Sequence, residues 1–362
     1  MTQIIERIEA NSAYKEFSVP INNQVPQPTR DAELYLRQDG LIVNAEGWFH
    51  PPNLLLGEVM YTPDDQGDKA IFGERYRKVT LFAGTHNPIP YSLRGTELAQ
   101  IDPNLNQKET NPFFARYKQF FPKSELVAVF PSQRALTKIL TKNGLEQEKL
   151  SMSLNDMQKL LGIDLSEMSL GVTGSLSLGN YDNLHDFDLV FQGDPRTNLL
   201  IARRIRELVR YEKQRRVIEG GKGWNIRFYT DKGILMCCFF GYQNPQEAPL
   251  VNFDMDVIEE NVAIEGTVSD ETHSVYTPTI LGLSDVVIKK IAEKSTRGGL
   301  GNLKLIIYHT ATRGECFEGD HIKAEGALVE VSSQEGKYLA LCCIEREAVR
   351  NLSPTWNNFY QK

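Results

Sequence analysis

Cysteine is scarce in this 362-residue chain: there are five, and Cys237-Cys238 and Cys342-Cys343 are neighbours. Adjacent residues of a strand point to opposite faces and cannot easily pair, and there is neither a CxxC spacing nor a His/Cys cluster. Neither a disulfide framework nor a zinc site is therefore expected. Long apolar runs are missing too. The longest, Gly233 to Tyr242, has the length of a strand, so no membrane span is expected. The opening residues Met1-Thr2-Gln3-Ile4-Ile5-Glu6-Arg7 lack the basic-then-apolar order of a signal peptide, and the expected compartment is the reducing cytoplasm. Nor is positive charge in excess. Lys plus Arg number 40 against 47 Asp plus Glu, a net charge of −7, which excludes the global positive field of a dedicated duplex binder and makes any nucleic-acid surface local.

What is present is core-forming material. Apolar residues make up 41%, with 17 Phe, 14 Tyr and 3 Trp, which excludes wholesale disorder. The length predicts two or three domains. Residues 1–30 read as an arm, a short helix followed by a Pro/Asn/Gln-rich stretch, with no core assigned. Residues 31–90 read as a small β module in which short β-type runs are punctuated by Pro51-Pro52, Gly57, Pro63 and Gly67. Residues 91–131 read as an irregular connector, and 132–260 as an α/β (α+β) domain of catalytic size. That domain holds two helices, a strand–turn–strand unit, a basic helix from Asn198 to about Val217, and strands at Trp224–Tyr229, Ile234–Gly241 and Leu250–Ile258. Residues 261–362 read as a β-rich module with a Lys-rich helix from Ser284 to about Lys294.

The segment that carries chemistry runs from Leu170 to Phe191. It holds Thr173-Gly174-Ser175 at a strand end and, ten residues on, His185-Asp186-Phe187-Asp188-Leu189 inside the next strand. Side chains at i and i+2 of a strand share a face, so Asp186 and Asp188 project together about 7 Å apart along the backbone. Phe187, Leu189 and Phe191 point the other way. Two carboxylates on one face repel unless a cation lies between them, and a hard divalent ion completed by triphosphate oxygens suits the pair. A glycine at position 174 lets backbone approach a phosphate, and the Ser175 hydroxyl and amide can bond its oxygens. Lys222, between Gly221 and Gly223, is a further phosphate candidate. His185 points away from the acids and is read as packing, as is His50 before Pro51-Pro52.

This order resembles the nucleotidyltransferase superfamily that includes DNA polymerase beta, CCA-adding enzymes, poly(A) polymerases and aminoglycoside nucleotidyltransferases. More loosely, Phe49-His50-Pro51-Pro52 followed by the Gly-Val-Thr-Gly-Ser-Leu segment is similar to uncharacterised archaeal and cyanobacterial nucleotidyltransferase-domain proteins. The resemblance implies a polymerase-beta-like core flanked by small β modules, and transfer of a nucleoside monophosphate from an NTP substrate to a hydroxyl with Mg²⁺ (or Mn²⁺) as cofactor. Asp186 and Asp188 would bind the metals, Gly174 and Ser175 the triphosphate. A third carboxylate on a later strand would be catalytic and metal-binding. Asp254 and Asp256 are the candidates, on one strand face, with Asp231 in a turn as the reserve.

The acceptor stays open. Trp48, Phe49, Tyr61, Phe72 and Tyr76 interleave with Arg75, Arg77 and Lys78, a composition suited to RNA. Small β cores would use the same aromatics. The cations of the basic helix (Arg203, Arg204, Arg206, Arg210, Lys213, Arg215, Arg216) either face solvent or meet phosphate. The rivals are a small-molecule nucleotidyltransferase, a catalytically inactive nucleotide- or nucleic-acid-binding protein, and an interaction scaffold. A functional third carboxylate separates enzyme from binder.

Overall fold

The computed structural model describes residues 3–22, 29–79, 119–180, 186–219, 222–290, 303–333, 336–345 and 348–354. The chain opens with helices α1 (Gln3–Ala10) and α2 (Ser12–Phe17). Asn11 caps α2, its side-chain oxygen accepting from the Ala13 amide at 2.9 Å. Ile5, Ile8, Tyr14 and Phe17 are buried in the main core, so residues 3–17 are packed structure and not a coreless arm.

An antiparallel sheet follows. It comprises β1 (Val19–Pro20), β2 (Leu34–Arg37), β3 (Ile42–Ala45), β4 (Leu54–Pro63), β5 (Lys69–Ile71), β6 (Glu74–Lys78), β7 (Gln119–Pro122) and β8 (Leu126–Phe130), in the order β1-β8-β2-β3-β4-β6-β5 with β7 on β4. Alternation divides its side chains. Tyr35, Val43, Leu55 and Val59 fill its own core, while Leu34, Leu36, Ile42 and Tyr61 pack toward the centre of the molecule. The β7 and β8 segments lie within the stretch read as connector.

The central unit carries α3 (Ser132–Thr141), α4 (Leu145–Leu161), β9 (Ser169–Val172), the single turn α5 (Gly174–Ser177), β10 (Asp186–Gly193), α6 (Pro195–Tyr211), β11 (Arg216–Glu219), β12 (Lys222–Tyr229) and β13 (Leu235–Tyr242). Its sheet has the order β11-β12-β13-β10-β9, and β10 and β13 alone among its pairs are parallel. A parallel neighbour requires a crossover, and α6 supplies it. Pro195 opens that helix, Asp194 caps it by accepting from the Arg196 and Thr197 amides, and Ile201, Ile205, Leu208 and Val209 bury its apolar stripe.

The last sheet contains β14 (Phe253–His273), β15 (Thr279–Lys290), β16 (Leu303–Ile307), β17 (His321–Ser333), β18 (Gly336–Cys343) and β19 (Val349–Asn351). The long, bulged β14 pairs with both β15 and β17, and β16 runs parallel to β18. The ring β14-β15-β16-β18-β17 therefore closes into a five-stranded barrel of OB type. Val262, Ile264, Leu281, Leu305 and Leu341 fill it. On its outside, Ile280, Ile306, Tyr308 and Cys342 pack against Leu56, Phe49 and Phe120 of the first sheet, so that outer face is internal to the molecule.

Three further expectations are corrected. The chain is mostly β, 46% strand against 28% helix, in three sheets with six α-helices among the described residues, and it does not form the expected α/β polymerase-beta-like core. The reason is the mass of antiparallel strand on both flanks, together with the early exit of the chain from the central sheet at the 3-10 turn Pro245–Glu247. Residues 253–260, assigned to the core, begin the barrel. The Lys-rich helix from Ser284 is strand β15 as far as Lys290, drawn into the barrel by the alternating burial of Leu281 and Leu283 and by pairing with β14.

Candidate metal and phosphate site

Strand β10 places the two acids as alternation requires: Phe187, Leu189 and Phe191 enter the main core, while Asp186 is exposed and Asp188 half-buried on the opposite face. The sheet register builds a row across that face. Asp188 lies beside Cys237 of β13, and Cys237 beside Arg227 of β12. Ligand atoms of Asp186, Asp188 and Cys237 lie within 4.8 Å of one another. The neighbouring Cys238 points into the core, so the Cys-Cys pair splits between the faces and all five cysteines are free.

Gly174 closes the site from β9's end. Its φ is +63°, and a Cβ there would collide with the Asp188 carboxylate, so this position requires glycine for two reasons, the left-handed backbone and the close approach. The Thr173 amide also donates to the Asp188 carbonyl at 2.9 Å, and the Thr173 hydroxyl to the carbonyl of Ala32. Arg227 ties the row together, donating from Nε to Cys237 Sγ at 3.1 Å and from Nη1 to Glu219 at 2.5 Å.

These groups line a cavity of about 270 Å³ to which the first two sheets and a loop of the barrel module contribute. Asp31, Met60 and Lys78 come from the N-terminal part, Trp224, Ile226 and Phe239 from the centre, and Thr310, Ala311 and Arg313 from the connection between β16 and β17. Arg313 lies over the Phe239 ring at 4.6 Å and approaches the buried Asp31 at 3.4 Å; the Gly47 amide donates to the other Asp31 oxygen at 2.7 Å. Burial, then the neighbouring Asp186, pushes the Asp188 carboxyl up to about 6, against the opposing pull of Arg227 and Lys78. Burial, with Asp188 next, raises the Cys237 thiol well above its ordinary range. The Tyr61 phenol is raised by burial and then by the same two aspartates.

The expected third carboxylate is elsewhere. Asp254 and Asp256 stand on β14, paired with Ser332 and Glu330 of the barrel. Asp231 is held by Arg215 at 2.5 Å. Their strand face was legible, but the sheet that would recruit that strand was not. Ser175 does not line the cavity among the described residues. His185 and the Lys222 side chain lie outside those residues. The donor set nevertheless fits a divalent cation: two carboxylates of one face, brought close by a glycine that a side chain would displace.

The surfaces read as RNA-binding are otherwise engaged. Trp48, Tyr61, Phe72 and Tyr76 are buried and Phe49 packs on Phe253 at 4.9 Å, so these aromatics cannot stack bases. Arg77 pairs with Asp64 and Arg75 donates to the Asp65 carbonyl; Lys78 alone of the three lines the cavity. On α6, Arg203 pairs with Glu271 and Arg206 with Asp320, both in the barrel module, and Arg204 caps the end of α4 through the Leu161 and Gly162 carbonyls. Arg203 and Arg206 thereby join modules.

Sequence reasoning missed Cys237, Arg227, Lys78, Arg313, Asp31 and Glu219 as neighbours of the acids. The Cys-Cys pair was a signal that one thiol must face Asp188's side if β13 adjoined β10. Compared with protein-family models, curated proteins and solved structures, the chain finds no match in any of the three.

Proposed function

We propose that this chain binds a nucleoside triphosphate as its complex with a divalent cation, Asp186 and Asp188 holding the cation and Lys78, Arg227 and Arg313 facing the phosphates. The observation that carries the reading is the convergence of two same-face carboxylates and three cationic side chains on one cavity, where Arg227 is also bound to Glu219 and Arg313 to Asp31. Carboxylates alone would repel the phosphates, and cationic side chains alone would give a metal no ligand; a metal-complexed polyanion engages both sets. When bound, the cation would neutralise the acids and polarise phosphoryl oxygens. Trp224 and Ile226 on the cavity wall offer an apolar surface for the base.

Transfer of the nucleotidyl group to a hydroxyl is the second reading, for which the same wall offers Glu219 as a third carboxylate once its hydrogen bond from Arg227 is released. Burial of the first module's aromatics favours a small-molecule acceptor over RNA. The test is equilibrium binding of each NTP with and without Mg²⁺ or Mn²⁺. Binding should require the metal and fail in Asp186→Asn and Asp188→Asn. Affinity indifferent to the metal and to both substitutions refutes the assignment. Incubation with α-labelled NTP and either a metabolite extract or total RNA then separates binder from transferase and one acceptor from the other.

A further inference from the structure

We infer that Cys237 is the third protein ligand of this site, and that the ion the site selects is a thiol-accepting transition metal such as Zn²⁺ or Co²⁺ in preference to Mg²⁺. The inference rests on the metal half of the reading above and deepens it. In the parallel register Asp188 and Cys237 are direct partners, so their side chains leave the sheet on the same face, where the Sγ and the two carboxylates approach within 4.8 Å. Bonds of about 2.0–2.2 Å to oxygen and 2.3 Å to sulfur at the tetrahedral angle set donor atoms about 3.5 Å apart, so side-chain rotations that draw the three groups together complete the set.

The donor chemistry decides the preference. Magnesium takes oxygen ligands in a near-octahedral shell and gains nothing from sulfur, whereas a thiolate beside carboxylates suits zinc and its neighbours. The surroundings of Cys237 are also those of a held ligand. Arg227 Nε donates to its sulfur at 3.1 Å and is itself fixed by Glu219, an outer hydrogen-bonded support of the kind that orients metal ligands. On binding, the thiol gives its proton to solvent and sulfur donates a lone pair to the ion; no oxidation state changes. With the third carboxylate candidates in the barrel and in an ion pair with Arg215, the sulfur is the third donor brought to this cluster.

The test uses the full chain, stripped with a chelator and titrated with Co²⁺. A near-ultraviolet sulfur-to-cobalt charge-transfer band should grow to one equivalent. It should vanish in Cys237→Ser, persist in Cys238→Ser, and weaken in Asp188→Asn. Because even loss of an outer partner costs 10–100-fold in metal affinity, Cys237→Ser should lose at least about a hundredfold for Zn²⁺ while its far-ultraviolet circular dichroism stays unchanged. Mg²⁺ affinity should stay within about threefold. A wild-type titration without the band, which needs no variant to fold, overturns the proposal, as does a band that survives Cys237→Ser. Metal-dependent NTP binding without the band would refute this ligand assignment alone. The band without NTP binding would refute the nucleotide reading alone.

Discussion

Replacing Asp188 by Asn should stabilise the metal-free protein, and by an amount that grows with pH. Burial and Asp186 lift the Asp188 carboxyl from 3.8 to about 6 in the folded state. Between those values the native protein keeps a proton that the unfolded chain has lost, so stability falls as pH rises through the interval, and the full penalty is present above it. At about 1.36 kcal/mol per unit, the cost at neutral pH is at most about 3 kcal/mol. Most of it accrues above pH 4.5, about 1 kcal/mol being present already at that pH and nearly 3 at pH 7.5. Asn cannot ionise. Urea denaturation in a chelator should therefore find Asp188→Asn more stable than the parent by about 2 kcal/mol more at pH 7.5 than at pH 4.5. Divalent cation at about 1,000 times its Kd should invert the order, since it adds about 4.1 kcal/mol to the parent and little to the variant. A stability difference that is independent of pH, or a metal-induced shift equal in both proteins, would refute the account of this carboxylate as a half-buried charge awaiting a cation.

Other outcomes follow from the same geometry. Gly174→Ala forces a side chain into a left-handed residue and against the Asp188 carboxylate; it should cost about 1–2 kcal/mol in denaturation and weaken metal binding, and an unchanged metal affinity contradicts the close approach. Arg313→Met strips the buried Asp31 of its guanidinium and should cost about 3–5 kcal/mol; a loss under about 1 kcal/mol would mean the barrel is not anchored through this pair. Lys78→Ala should weaken NTP binding several-fold and flatten its salt dependence, whereas Arg75→Ala with Arg77→Ala, whose partners are Asp65 and Asp64, should leave both within about twofold; calorimetry at two salt concentrations checks this, and equal effects would place the phosphate surface outside the cavity.

Local pattern alone was enough for the parts of this protein whose physics is local. Alternation along Asp186-Phe187-Asp188-Leu189 put the acids on one face and the aromatics in the core, and the structure keeps that division. The Cys237-Cys238 neighbours were bound to separate, and they do. The stripe Ile201, Ile205, Leu208 and Val209 announced α6 and its buried side. Where one face must meet water and the other a core, the period of the residues is the structure.

Partnership was beyond reach because it depends on contacts between residues far apart in the chain. Asp254 and Asp256 have the pattern of a site strand, yet pairing with Ser332 and Glu330 draws them into the barrel. Ser284 onward reads as a Lys-rich helix until β14 pairs with it and makes it the continuation of a barrel strand. The cations of α6 look solvated in one dimension, and in three they meet Glu271 and Asp320 from the barrel module. The cavity itself exists only where two sheets and a loop of the barrel module converge. Cys237 becomes a donor beside Asp188 solely through the parallel register of β10 and β13, a register set by the crossover helix and by core packing, which no short stretch of sequence encodes.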